Sequence, residues 1–297
     1  MKNDFVIILY YLYTPIANPQ ELMERERAVC SVLGMKGRIL IAEEGINGTL
    51  EGTRENAEKY KAHILSDKRF RHMNIKESAG TGTAFPKLIV KVKDEIVSTK
   101  LPKHINPRKA TGKHLNPAEL KRWYKENEDF VVFDMRNDYE IASGYFDKTI
   151  NVDSTMKASR DLPEIMKQYD DLKDKKVLTV CTGGVRCEKM SAYLLDLGFK
   201  DVYQLHNGMH TYMEKYPGED FKGTLYTFDN RMTMDFGGQR EVVGKCYVCD
   251  KTTERYGHCA HTLCHAHLLI CDDCATEKQY CNEECKQKAE AAKVEAK

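Results

Sequence analysis

Apolar positions in the first hundred residues switch between continuous runs and helical spacing. Phe5 to Tyr13 is an aromatic and β-branched run that predicts a strand. From Asn18 to Leu33 the spacing is helical, with Pro19 near the first turn. Strands are expected at Gly37 to Ala42 and, after a tight connection, at Gly45 to Leu50. A polar helix follows over Arg54 to Ser66, then strands at His72 to Glu77 and Leu88 to Val97. The order is βαββαβ with an extra strand, which predicts a ferredoxin-like α+β domain over residues 1–98. That fold hosts many functions and by itself names none.

Between Thr99 and Pro117 the pattern breaks: Pro102, Pro107 and Pro117 interrupt it and no acidic residue occurs. Residues 99–114 therefore read as a basic linker or extended arm. From Leu115 a second domain is expected to run to residue 220. A helix passes through Trp123 and Tyr124, and the apolar run Phe130 to Asp134 ends in an acid. A second buried-strand pattern, Lys176 to Val180, ends at Cys181 and is followed by a helix from about Glu188 to Leu197. Val202 to Leu205 is a third short strand, and Gly208 opens another helix. Short apolar strands alternating with helices predict a parallel sheet with ligands at its carboxyl ends. Past Tyr216-Pro217-Gly218 periodicity fades, and residues 221–297 form a cysteine-rich tail closing in an Ala/Glu/Lys-rich stretch from Lys286.

Composition adds two constraints. The net charge of +1 points to no polyanionic partner, so any such site must come from local clustering. The arm supplies one cluster, Lys100, Lys103, Arg108, Lys109 and Lys113, which are candidate phosphate contacts that Arg69, Arg71, Lys61 and Lys76 would extend. No apolar run approaches the ~20 residues that span a bilayer, and Phe5 to Leu12 has no signal-peptide flanks, so a cytoplasmic protein is expected. Eight of the eleven cysteines lie between Cys246 and Cys285. In such a chain they read as metal ligands rather than disulfides.

The tail spacing is Cys246-x2-Cys249-x9-Cys259-x4-Cys264, then Cys271-x2-Cys274-x6-Cys281-x3-Cys285. Eight thiolates make two tetrahedral zinc sites, each structural because no coordination position stays open. Sequential and interleaved pairings both fit, and His258, His261, His265 or His267 would serve in place of a thiolate. A redox role for these cysteines is the alternative. A segment this poor in apolar residues needs a staple, and structural zinc contributes roughly 10–16 kcal/mol in small modules.

Reactive chemistry concentrates at Cys181-Thr182-Gly183-Gly184-Val185-Arg186-Cys187, between a buried strand and a helix. Two glycines free the backbone to curl its N–H groups around the Cys181 sulfur, and the helix N-terminus and Arg186 add positive charge. All three favour a thiolate, so Cys181 is expected to be nucleophilic at neutral pH rather than a small buried residue ending a strand. Cys187 reads equally well as a resolving thiol for an oxidised Cys181 or as a core cysteine on the first helical turn. Asp134, Arg136 and Glu140 are expected to order loops, with Arg136 and Glu140 forming a local ion pair. Tyr145, Phe146 and Tyr212 are aromatic candidates for stacking on an unpaired base.

The loop, preceded by Asp134-Met-Arg136 and Glu140, resembles a rhodanese domain, whose loop cysteine carries persulfide in the sulfur-transferring members. Its six-residue span from cysteine to arginine is one residue shorter than that of the tyrosine and dual-specificity phosphatases. With Glu44-Gly-Ile-Asn-Gly48, Val90-Lys-Val-Lys-Asp-Glu-Ile-Val97, Cys181 to Lys189, Thr227-Phe-Asp-Asn-Arg231 and the cysteine-rich end, nearly the whole chain resembles the rhodanese-like tRNA uridine hydroxylases. Gly144-Tyr145-Phe146 stands where Gly-His-Phe is more common, and Asn207-Gly208-Met209 where Gly-Gly-Ile is.

The resemblance implies an enzyme that places a hydroxyl on C5 of the wobble uridine, position 34 in the anticodon region of tRNA, with molecular oxygen as co-substrate. Cys181 would be its essential cysteine and Cys187 its second, family-typical one. Thiolate attack at C6 would make C5 electron-rich toward an oxygen-derived electrophile; in an alternative, an oxidised Cys181 sulfur transfers the oxygen. No flavin, nicotinamide or non-haem iron fingerprint occurs, so the electron donor is unassigned. The competing readings are a sulfurtransferase carrying persulfide on Cys181 and a non-catalytic RNA-binding zinc protein.

Overall fold

The computed structural model describes residues 4–152, 156–264 and 266–295. Its first domain has strands β1 (Phe5–Tyr13), β2 (Lys36–Ala42), β3 (Gly45–Thr53), β4 (Ile75–Ala79) and β5 (Leu88–Val92), with helices α1 (Pro19–Val32) and α2 (Arg54–Ser66). The sheet order β4-β1-β3-β2-β5 is antiparallel except for the β2–β5 pair, which is the ferredoxin-like arrangement with one added strand. Asn18 caps α1, its side chain accepting the Glu21 N–H, and Pro19 needs no such partner.

Strand β1 lies in mid-sheet with both faces covered, which is why it reads as an unbroken apolar run. Val6, Ile8 and Tyr10 point to the core beneath α1 and α2. Ile7, Leu9 and Tyr11 point the other way, into a cavity shared with the second domain. The expected fourth strand, His72 to Glu77, shifts to Ile75–Ala79, because Phe70 and Met73 close turns that pack under the helices. Strand β5 stops at Val92 rather than Val97, and the segment beyond it turns toward the second domain.

The second domain contains β6 (Lys113–Leu115), α3 (Pro117–Lys125), β7 (Val131–Asp134), α4 (Asp138–Ile141), β8 (Gly144–Phe146), α5 (Leu162–Met166), β9 (Lys176–Val180), α6 (Val185–Asp196), β10 (Asp201–Leu205) and α7 (Gly208–Lys215). Strands β6, β10, β9 and β7 form a parallel sheet in that order. Leu120, Trp123, Met209 and Tyr212 of α3 and α7 cover one face, and Leu162, Met166, Met190 and Leu194 of α5 and α6 cover the other. The end of the basic arm is thus an edge strand, and Leu101 and Ile105 pack onto the second core. Helix α6 starts at Val185, three residues earlier than expected, because Gly184 takes φ 101° and turns the chain directly into it.

Beyond this sheet, β11 (Phe221–Gly223) pairs with β8, and β12 (Leu225–Tyr226) pairs with β13 (Thr233–Met234). The tail holds the hairpin β14 (Tyr256–His258) and β15 (His267–Leu269) and closes with α8 (Glu283–Glu295). No helix among the described residues is long and apolar enough to cross a membrane.

Candidate active site

Cys181 directly follows β9 and is fully buried from bulk solvent, yet it lines a cavity of about 450 Å³ between the two domains. The Gly184 N–H points at its Sγ at 3.1 Å. Burial opposes ionisation, but the Cys187 thiol hydrogen bond, the charge of Arg186 and the N–H groups of Cys187 and Gly184 outweigh it. The thiol therefore ionises below its ordinary range. Cys187 faces the Cys181 sulfur rather than away from it, and burial together with that sulfur pushes its own thiol up.

The loop is clamped on every side. The Met209 N–H donates to the Cys181 carbonyl at 2.9 Å and the His210 N–H to that of Thr182 at 3.2 Å, so the start of α7 receives the loop's carbonyl oxygens. Gly208 makes this approach possible: at φ 74°, a Cβ there would sit 2.7 Å from the Cys181 oxygen. Asn207, which replaces the more common glycine, holds φ 63°, a left-handed conformation that asparagine tolerates better than most residues. A Cβ on Gly184 would meet the Tyr11 hydroxyl at 2.7 Å, so the loop glycines also admit the first domain's sheet.

Arg186 is buried and its two terminal nitrogens both pair with Glu140, at 2.6 and 2.8 Å. Contrary to the ion pair expected from the sequence, Arg136 does not pair with the Glu140 side chain. Its fork closes on Asp134, and it also donates to the backbone carbonyls of Glu140 and Gly144. Only Met135 separates Asp134 from Arg136, so the pair forms within one turn, leaving the Glu140 carboxylate for Arg186 across the fold. Asp134 and Arg136 lie outside the cavity wall.

Four short motifs converge at this interface. Glu44 accepts the Ile96 N–H at 2.8 Å, and Asn47 donates to the Ile96 carbonyl at 3.0 Å. Lys189, 3 % exposed on α6, reaches across to Glu44 at 2.9 Å and Glu95 at 2.7 Å. From the other side Asn230 donates to Thr83, and Arg231, held by Asp229, donates to Ser78 and Ala79 of β4. These residues come together only because each motif supplies one half of a bond between domains.

Lys76 is not a surface phosphate contact: it is buried and its Nζ donates to the Gly183 carbonyl at 3.0 Å. Arg69 closes on Asp67 and Lys61 on Glu58 and Glu77, so neither is a free cation. In the arm, Lys113 pairs with Asp201 at 2.9 Å, whereas Lys100, Lys103, Arg108 and Lys109 are exposed. Phe146 and Tyr212 are core residues, Tyr212 bonded to Asp220, and Tyr145 lies outside the cavity. The cavity's own aromatics are Tyr11, Phe85 and Phe228, the last 53 % exposed with the Arg186 guanidinium 5.7 Å from its ring centre. Phe228 lies in Thr227 to Arg231, so its motif was visible in the sequence although its place was not.

The eight tail cysteines gather as two sets, Cys246, Cys249, Cys271 and Cys274, and Cys259, Cys264, Cys281 and Cys285, each with all sulfurs within 4.8 Å. The pairing is interleaved. Sulfur separations of 3.7 Å (Cys249 to Cys271 and Cys264 to Cys281) and 3.5 Å (Cys281 to Cys285) match the ~3.8 Å edge of a tetrahedron with ~2.3 Å metal–sulfur bonds. They are far too long for disulfides. His258, His261 and His267 belong to neither set, and His265 lies outside the described residues.

Residues 5–96 match the UPF0176 acylphosphatase-like domain, residues 116–215 the rhodanese-like domain and residues 222–286 the rhodanese C-terminal segment. A rhodanese-like domain protein from Staphylococcus aureus of known structure is 28% identical, covering 34% of this chain and 90% of its own, with a TM-score of 0.29. The tRNA uridine(34) hydroxylase of Cytophaga hutchinsonii is 46% identical over 286 residues, 96% of this chain and 90% of that protein. That of Staphylococcus aureus is 40% identical over 289 residues, 95% of this chain and 89% of that protein. With identity of this order running through both domains and the cysteine-rich tail, the chain belongs to the tRNA uridine(34) hydroxylase family.

Proposed function

We propose that the protein hydroxylates C5 of uridine 34 in the tRNA anticodon, with molecular oxygen as co-substrate and Cys181 as the nucleophile. The observation that carries this reading is the Cys181 sulfur itself, facing a cavity of about 450 Å³, enough for an extruded nucleobase, with its thiol pushed below the ordinary range, despite burial, by the Cys187 hydrogen bond and the Arg186 charge. Phe228 offers an exposed ring at that cavity for stacking. The thiolate adds to C6 of the uracil ring, the π-electron pair moves toward C5, and C5 attacks an oxygen-derived electrophile. One oxygen atom stays on C5; the second leaves as water with two electrons from an external donor. Expulsion of the thiolate and loss of the C5 proton restore the ring.

The other site residues act on this sulfur. Cys187 donates its thiol hydrogen to Cys181 and stands ready to resolve an oxidised form. Arg186, fixed by Glu140, and the loop Thr182 to Val185 hold the sulfur in register, while Asp134 and Arg136 order the preceding loop. The two four-cysteine sets hold structural zinc.

Nucleoside mass analysis of tRNA from cells with and without the protein tests the activity: a uridine heavier by one oxygen should disappear without it. Loss of a thiolated base instead would establish sulfur transfer. For binding, log affinity for tRNA should fall linearly with log salt, by about 0.7–0.9 per phosphate contacted. Replacing Lys103, Arg108 and Lys109 together with alanine should flatten that slope and leave Cys181 reactivity intact. An unchanged slope would make the arm an ordinary solvated segment.

A further inference from the structure

We propose that Lys76, on β4 of the ferredoxin-like domain, is the counter-ion of the Cys181 thiolate, so that the reactive cysteine of one domain is armed by a lysine from the other. The proposal deepens the reading of Cys181 as the nucleophile and rests on it.

Charge accounting at the cavity leads to this assignment. A thiolate with no exposure to bulk solvent is held by hydrogen bonds and by opposite charge, and the loop N–H groups and the Cys187 thiol supply only the first. Arg186 is the obvious source, but both ends of its fork are closed on Glu140, and it reaches the sulfur as half of an ion pair. Arg231 is likewise closed on Asp229, and Lys189 lies between two carboxylates. Arg38 and Lys87 are exposed, where water screens them. Among the described residues, Lys76 is the buried cavity-lining cation without an ion-pair partner.

Register explains how it arrives there. Lys76 lies opposite Leu9, Leu9 opposite Thr49, and Thr49 opposite Arg38, so the four side chains form one row across the cavity-lining face of the sheet. That face meets the loop. Lys76 is 7 % exposed, its Nζ spends one donor on the Gly183 carbonyl two residues from Cys181, and it lies 5.5 Å from the Tyr11 ring centre, a placement that favours the ammonium form. Among the described residues, the Gly183 carbonyl is the one hydrogen-bond acceptor of its three donors.

The remaining groups facing the pair do not supply the charge. Burial keeps Tyr11 and Tyr13 protonated and neutral. Cys187 stays a thiol, and Glu188 is engaged by His114, Gln204 and Thr111. Burial with the nearby Lys76 and Arg231 charges pushes His210 down to about 4, and burial with His114 and Lys76 lowers His206, so both rings are neutral at pH 7. Glu214 pulls Lys76 toward its charged form but is half exposed and makes no ion pair with it. Burial nonetheless brings Lys76 down to about 8, which leaves it charged at pH 7.

The test is the pH profile of Cys181 alkylation by iodoacetamide in the full-length protein without tRNA, read by mass on the Cys181 peptide. Removing a facing cation disfavours the anion, so Lys76→Met should move the midpoint upward by one pH unit or more. Each unit of that shift slows alkylation by a factor approaching tenfold at pH values well below the wild-type midpoint. Lys76→Arg should restore the midpoint, because it returns the charge. A merely structural lysine would leave the midpoint in place, so an unchanged profile in Lys76→Met overturns the proposal, as does failure of Lys76→Arg to restore it. If wild-type Cys181 itself reacts only in the ordinary thiol range, the nucleophile reading fails first, and the two failures are told apart.

Discussion

Serine in place of Cys181 should reduce 5-hydroxyuridine formation by on the order of 10³-fold or more, while tRNA affinity stays within about twofold. Serine keeps the shape of the side chain, and the loop geometry does not depend on sulfur: the N–H of Gly184 finds an oxygen acceptor instead. What it loses is charge. The arrangement lowers the thiol enough to ionise at neutral pH, but no comparable shift brings an aliphatic hydroxyl into that range. Single-turnover hydroxylation of wobble-uridine tRNA, with binding measured in parallel, checks both halves. Cys187→Ser divides the mechanism further. A preserved first turnover followed by arrest identifies Cys187 as the resolving thiol, and loss of the first turnover places its hydrogen bond in the chemical step. Full hydroxylation by Cys181→Ser would remove the thiolate mechanism altogether.

Elemental analysis of protein purified without chelator should give two zinc ions per chain, and stripping them should unfold the tail between Cys246 and Cys285. The physical reason is the shortage of other cohesion. Around the two cysteine sets the apolar packing is small: Tyr226, Tyr256 and Leu269 with Tyr139 of α4 and Met232 against them, and the buried Leu268 and Ile270 of the tail. Metal–thiolate bonding, worth roughly 10–16 kcal/mol in small modules, exceeds anything that cluster supplies. Loss of metal should make eight thiols reactive toward a colorimetric reagent and weaken the Tyr256 hydroxyl hydrogen bond to the Tyr139 carbonyl. The two sheets, with their own cores, should keep their circular dichroism signal. Metal near zero with a folded tail would end the zinc assignment.

Secondary structure was most legible where local rules act alone. Helix α2 occupies Arg54–Ser66 as its spacing predicts, and α1 begins where Asn18 and Pro19 place it. The errors fall where a distant segment decides. The fourth strand moved because Met73 is claimed by the core under α1 and α2, and the helix after Cys181 began early because Gly184 adopts a left-handed turn against Tyr11. Charge partners were similarly undecidable: spacing put Arg136 within reach of both Asp134 and Glu140, and only the position of Arg186 settled which carboxylate it keeps.

By itself the sequence determined the alternation of strands and helices, the two-glycine loop that cradles Cys181, and the eight thiols of the tail, because each depends on residues close together along the chain. The tertiary structure decided the interleaved pairing of those thiols, since equal spacings at Cys246 and Cys271 fit more than one partner. It also decided which face of β1 meets the loop. In a run that is apolar on both sides, nothing local distinguishes Leu9 and Tyr11, which line the cavity, from Ile8 and Tyr10, which fill the core. Lys76 depends on the same register: one residue of slip would turn its ammonium away from the Gly183 carbonyl, and only the pairing of β4 with β1 fixes it on the side that meets the loop.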